Sequence, residues 1–176
     1  QLTHVLDPVR PDHHRVTVIP LVWRERPGYR QIPTEAGVWQ VPRQDGRLFV
    51  GNVHGSLVAI ETGSGEQVWA ADFGEEIVGA VAPVTLPYQA SGVVVAGSSG
   101  RVAAYRSEDG NLAWVADPGH HVLGGPTVAE ALVLVSSCDG DSVDVLAAAD
   151  GEHLRTVGLD AQVPATPAAA GDRAYV

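Results

Sequence analysis

The chain has 176 residues, 45% of them hydrophobic and 18% charged, which describes a folded protein with a packed core and excludes a disordered one. Its formal charge of -10, with 21 acidic residues against 11 arginines and no lysine, provides no broad basic surface, so nucleic acid is not an expected partner. No run approaches the roughly 18 consecutive apolar residues of a membrane-spanning helix, so no direct membrane span is expected.

The opening "QLTHVLDPVR" has neither a charged n-region nor a signal-like apolar core. Residues 1–36 are read as a lead-in whose segment "RVTVIPLVWRERPGYR" includes the last strand of a preceding structural unit, with Tyr29 near the position of an aromatic that docks on the next unit. From residue 37 the chain repeats itself. Pro42, Pro83, Pro126 and Pro167 are spaced by 41, 43 and 41 residues, each near the start of an apolar run. A second ruler is a turn glycine at the head of a short strand: Gly65-Glu66-Gln67-Val68-Trp69, Gly110-Asn111-Leu112-Ala113-Trp114 and Gly151-Glu152-His153-Leu154-Arg155. The units fall at approximately 37–78, 79–121 and 122–162, with a partial unit at 163–176.

Each unit is a series of short, β-branched, turn-bounded runs. The second reads "IVGAVAPVTL", "SGVVVAG", "RVAAYRS" and "NLAWVADP", and the third reads "GGPTVAEA", "LVLVSS", "DSVDVLAAA" and "EHLRTVGL". This pattern gives four strands per unit. The connections "SEDGN" and "AADGE" carry Asp-Gly, whose tolerance of positive φ suits a tight antiparallel hairpin. The alanine-rich "VLAAADGEHL" suggests a helix by propensity, but the repeat register puts a hairpin there. Helical-pair repeats share the period, yet the β-branched runs and Asp-Gly turns argue against them. The expected fold is all-β: a β-propeller of four-stranded antiparallel blades, with about three to four blades present, as part of a larger closed propeller completed by further sequence or another chain.

These residues resemble the pyrroloquinoline-quinone-like (PQQ-like) propeller repeat, whose signature runs approximately Ala-Leu-Asp-Ala-x-Thr-Gly-x-x-x-Trp. The stretch from Ala59 through Thr62 and Gly65 to Trp69 matches it closely. The second copy keeps Ala104, Gly110 and Trp114, whereas the third keeps Gly151 and Leu154 and places Arg155 where the tryptophan belongs. The resemblance implies that Trp69 and Trp114 pack flat between adjacent blades, with Gly65, Gly110 and Gly151 as structural turns. It covers residues 37 to 176 and implies two kinds of function: quinone-dependent dehydrogenases, and noncatalytic scaffolds in envelope assembly or signalling.

The quinone enzymes need an acidic base, a calcium site of carboxylate and amide oxygens and, in many members, a vicinal disulfide. The single Cys138 excludes that disulfide within these residues and leaves both redox compartments open. Asn52 and Asn111, the only asparagines, fall on turns with no acidic cluster in register. "CDGDSVD" offers Asp139, Asp141 and Asp144 but lacks the spaced glutamate of a calcium loop, and reads as an acidic hairpin connection. Neighbours in a strand point to opposite faces, so His13-His14 and His120-His121 would each contribute one metal ligand at most, and His54 and His153 add little. Cys138 lacks an identifiable activating partner, and "AGSSGR" is turn chemistry rather than a phosphate cradle. No catalytic, cofactor-binding or metal-binding residue is therefore assigned.

The leading expectation is a noncatalytic scaffold that binds a protein partner or other domains of its parent chain. The second is a quinone-dependent dehydrogenase or ligand-sensing quinoprotein whose site lies in other blades. The insertion "TLPYQASG", longer than its counterparts "TVAEA" and "AAAGD", makes Tyr88 the candidate partner contact.

Overall fold

The computed structural model describes residues 43–160, 162, 165–170 and 173–176. The lead-in with Tyr29 and His13-His14, and also Pro42, lie outside the described residues. Three four-stranded antiparallel sheets succeed one another along the chain, each with its strands in sequential order. The first contains β1 (Arg43–Gln44), β2 (Arg47–Gly51), β3 (Ser56–Glu61) and β4 (Gln67–Asp72). The second contains β5 (Ile77–Thr85), β6 (Ser91–Gly97), β7 (Val102–Arg106) and β8 (Leu112–Ala116). The third contains β9 (Thr127–Ala129), β10 (Leu132–Ser137), β11 (Ser142–Ala147) and β12 (His153–Gly158), and a two-stranded piece, β13 (Ala168–Ala170) and β14 (Arg173–Tyr175), comes next. Among the described residues the only helical geometry is a 3-10 turn at Pro87–Gln89.

These sheets stack as propeller blades because their middle strands are apolar on both faces. In β6, Val93 and Val95 join Phe49, Leu57, Ala59 and Trp69 of the first sheet, whereas Val94 and Ala96 point the opposite way and join Val133, Val135 and Leu146 of the third. A strand's period of two thus supplies a different core on each side of one sheet. Sheet-on-sheet stacking also explains why β6 reads as a continuous apolar run rather than an alternating one.

The inner strands approach closely. A Cβ on Gly79 of β5 would lie 2.1 Å from the Gly125 nitrogen, and one on Gly125 would lie 2.5 Å from the Ala80 nitrogen. Next along the chain, Gly125 N donates to Thr166 Oγ1 at 2.8 Å, and Thr127 Oγ1 donates to the Pro167 carbonyl. Backbone therefore packs on backbone where consecutive inner strands converge, and glycine is what permits it.

Repetition extends to the irregularities. A register shift falls between Ala59 and Ile60, between Ala104 and Tyr105, and between Val145 and Leu146. In each case it comes immediately after the residue paired with Trp69, Trp114 or Arg155. The bulge adds local twist to the two outer strands of every blade.

Because the two inter-sheet cores are separate, truncations in them should act independently. Leu57→Ala and Leu146→Ala, each at a residue with no solvent exposure, are expected to cost about 2–5 kcal/mol apiece. In urea unfolding of the full chain the double variant should equal the sum to within about 0.5 kcal/mol. Leu112→Ala, at a residue 51% exposed, should change stability by less than about 0.5 kcal/mol.

Candidate functional site

Antiparallel order places the connections of each blade on two rims. One rim carries the turns between first and second strands and between third and fourth strands. Backbone bonds tie these together: Thr62 N to Gly46 O at 2.8 Å, Ser107 N to Ser91 O at 2.9 Å and Ala148 N to Ala131 O at 2.8 Å. The opposite rim carries the turns between second and third strands and the connections from blade to blade, as in Phe73 N to Gly55 O at 2.8 Å and Cys138 N to His121 O at 2.9 Å.

On the first rim the turn after the third strand is built three times in the same way. Gly65, Gly110 and Gly151 have φ of 72°, 73° and 77°, a conformation that glycine adopts without steric cost. Their N–H groups donate to the carbonyls of Glu61, Arg106 and Ala147 at 2.8, 3.0 and 2.9 Å. Ser64 Oγ, Asp109 Oδ1 and Asp150 Oδ1 each accept from the N–H two residues on, at 3.2, 3.0 and 3.0 Å. That donation from Asn111 holds the Asp109 carboxyl below its ordinary range. The Asp-Gly pair closes a four-residue loop in which glycine alone takes positive φ.

Trp69 and Trp114 each reach forward to the turn of the next blade. Trp69 Nε1 donates to the Ser107 carbonyl at 3.0 Å, and a Cβ on Gly110 would lie 2.7 Å from the indole. Trp114 Nε1 donates to the Ala148 carbonyl at 3.0 Å, and a Cβ on Gly151 would lie 2.5 Å from its ring. Phe49 supports the first indole with a tilted ring contact, centroids 5.8 Å apart. Arg155, at the corresponding place in the third blade, is exposed, as is all of β12.

The connection between β5 and β6 departs from its counterparts on this rim. The first and third blades turn in two residues, Asp45-Gly46 and Glu130-Ala131, whereas the second uses five, Leu86 to Ala90. Leu86 is buried among the apolar residues between the second and third blades, which fixes the base of the loop. Tyr88 stands fully exposed at its tip, and Tyr88 and Gln89 both have φ of 60°. A left-handed backbone at two consecutive non-glycine residues costs about 1–2 kcal/mol each.

At the foot of this loop a groove between the first and second blades is lined by Asp45, Arg47, Ser91, Arg106, Ser107 and Glu108, together with Ala90. Arg47 Nη1 donates to the carbonyls of Ser107 and Glu108 at 2.6 and 3.1 Å, so the Ser107 carbonyl accepts from both Arg47 and Trp69. No sequence pattern singles out Arg47, because its partners are main-chain atoms about sixty residues away.

The opposite rim carries His54, His120 and His121. His121 Nδ1 lies 3.0 Å from the Ser98 carbonyl, and its N–H donates to Asp139 Oδ1 at 3.0 Å. Asp144 belongs elsewhere. Rather than sharing the acidic connection with Asp139 and Asp141, it is a strand residue, 2% exposed, that accepts from Thr156 Oγ1 at 2.6 Å and lies 3.0 Å from His153 Nε2. Among the described residues no group of three or more His, Cys, Asp or Glu side chains could hold a metal ion. No helix among them is long and apolar enough to cross a membrane.

Repeated four-stranded blades, the recurring turn and the forward-reaching tryptophan define a β-propeller of PQQ-like repeats. A family model described as outer membrane protein assembly factor BamB matches residues 20–123 and 98–176, and the chain belongs to that family. BamB from Moraxella catarrhalis is similar in structure, with a TM-score of 0.64 at 19% identity over 77% of this chain and 40% of that one. The chain thus spans less than half the length of that relative. Quinohemoprotein alcohol dehydrogenase from Comamonas testosteroni gives a TM-score of 0.57 at 19% identity over 69% of this chain and 21% of that one. The computationally designed Ika4 protein gives 0.67 at 14% identity over 85% of this chain and 90% of that one. At these identities the likeness is one of fold. No curated protein matches the sequence.

Gly110→Ala should lose more stability than the about 1–2 kcal/mol of a left-handed alanine alone, because the new methyl also displaces the Trp69 indole. Gly158→Ala, at an exposed position with no neighbour within 4 Å, should be neutral or stabilising by up to about 1 kcal/mol in the same thermal unfolding assay.

Proposed function

We propose that the chain is a noncatalytic propeller module that binds a protein partner, or other domains of its parent chain, through the rim carrying the Leu86–Ala90 loop, with Tyr88 as the principal contact. The observation that carries this reading is an exposed aromatic held in a left-handed backbone on a loop whose base is anchored in the core. Strain of this kind persists where the surrounding structure enforces it, and it concentrates at sites of recognition. Tyrosine presents a large, rigid contact area at low entropic cost, which is why it recurs at interaction hot spots.

In the same proposal Trp69 and Trp114, with Gly65, Gly110 and Gly151, form the framework that couples one blade to the next and holds this rim in shape. The family description as an assembly factor supports an interaction role, while the likeness to a quinohemoprotein supports a quinoprotein reading only through the shared fold. The described residues supply no metal-binding cluster for that second reading. Purified full-length protein showing a quinone absorption band would favour it instead.

Two variants at one position test the interaction role. Tyr88→Ala should weaken binding to the native partner by about 2 kcal/mol or more, roughly thirtyfold, if the side chain is a hot spot. Tyr88→Gly should weaken it equally while raising folding stability by up to about 1 kcal/mol, since glycine relieves the left-handed strain. Unchanged affinity in both variants would remove Tyr88 from the interface.

A further inference from the structure

The loop that carries Tyr88 is joined to its blade by one buried side chain. From Leu86 to Ala90 only Leu86 is buried, and it lies in the apolar layer between the second and third blades with Val84, Val94 and Trp114. The rest of the loop closes on itself, through Leu86 N–H to the Ala90 carbonyl at 2.8 Å and Ala90 N–H to the Pro87 carbonyl at 3.3 Å. Where Tyr88 stands therefore follows from where Leu86 is seated.

That seat requires a glycine. Gly92 of β6 is buried, and a Cβ on it would lie 2.7 Å from Leu86 Cδ1, 2.9 Å from Leu86 Cγ and 3.1 Å from the Tyr105 carbonyl oxygen. Same-face residues of a strand lie two apart, so Gly92 shares the face of Val94 and Ala96, on which Leu86 packs.

The repeat shows what this space holds in the other blades. Gly92 pairs with Arg106, as Arg47 pairs with Glu61 and Leu132 with Ala147. Glu61, Arg106 and Ala147 are the residues whose carbonyls receive the turn glycines, so the three positions are equivalent. The first and third blades have side chains of their own there: Arg47 reaches forward to the Ser107 and Glu108 carbonyls, and Leu132 packs on Leu134, Val143 and Val145. Of these three blades only the second, the one with the longer loop, has glycine at this position.

We infer that Gly92 is the positioning residue of the Tyr88 contact: it leaves open a socket that a strand side chain fills in the neighbouring blades, and Leu86 enters that socket from the loop. The functional consequence rests on the interaction reading above, to which this adds the residue that sets where the contact stands. Returning the leucine to the strand should keep the layer filled while freeing the loop.

The test is a double-mutant cycle in the isotope-labelled full chain, read by thermal unfolding and by 15N relaxation of the loop amides. Leu86→Ala empties the socket and Gly92→Leu overfills it, so each should lower the melting temperature. The combined variant, with one leucine in the socket, should melt above both. In the wild-type chain the Tyr88 and Gln89 amides should have order parameters near the value of about 0.85 for rigid backbone, and in the combined variant these should fall below about 0.6. Leu86→Met should keep the loop ordered, because it conserves volume. Since a loosened loop must be ordered again on binding, the combined variant should bind the native partner roughly tenfold more weakly.

A combined variant that fails to melt above both single variants, or whose loop stays as ordered as in the wild-type chain, would overturn the inference, as would a wild-type loop already below about 0.6. None of these results bears on the Tyr88 side chain, which has its own variants. Undiminished affinity with a loosened loop would overturn the part of Gly92 in binding and the Tyr88 reading with it.

Discussion

The contact on which the rest of this structure depends is an indole laid against the left-handed glycine of the next blade. Apolar stacking alone leaves two sheets free to slide or rotate, since it is non-directional. The hydrogen bonds from Trp69 to the Ser107 carbonyl and from Trp114 to the Ala148 carbonyl are directional, and they act at the outer edge of the blade. At the inner edge, Gly79 and Gly125 bring two backbones together with no side chain between them. One sheet is thereby located on the next at both ends of a radial line, with the valines of β6 filling the space between.

That arrangement fixes the rim on which the proposed function rests. The carbonyl that receives Trp69 also receives Arg47, so the same turn that couples the blades orients the guanidinium of the groove. The loop bearing Tyr88 is tied to the same framework through Leu86, which is buried between the second and third blades. The left-handed residues Tyr88 and Gln89 lie within a turn that closes on itself through the Leu86 N–H to Ala90 carbonyl bond at 2.8 Å.

The strands of the second and third units, read from the sequence alone, coincide closely with β5 to β12, because a half-buried strand has a period of two and a turn has its own residues. The recurrence of Gly65, Gly110 and Gly151 was legible for the same reason. The atoms that each tryptophan meets were not, since a repeat encodes the register within a unit while the contact lies between units. Asp144 illustrates the limit: beside Asp139 and Asp141 it reads as part of an acidic turn, but one more step along the strand turns its side chain inward to Thr156 and His153. Arg47 left no sequence signal, since its partners are main-chain atoms about sixty residues away.

Hydrogen exchange of the Trp69 and Trp114 indole N–H groups, assigned by NMR in the full chain, tests the inter-blade coupling most directly. If the indoles join the blades, the Trp69 and Trp114 indole protons exchange as slowly as the amides of β6 and show through-hydrogen-bond coupling to the carbonyl carbons of Ser107 and Ala148. Exchange at the rate of a solvent-exposed indole, while β6 stays protected, would show that the blades are not joined there and would contradict that coupling.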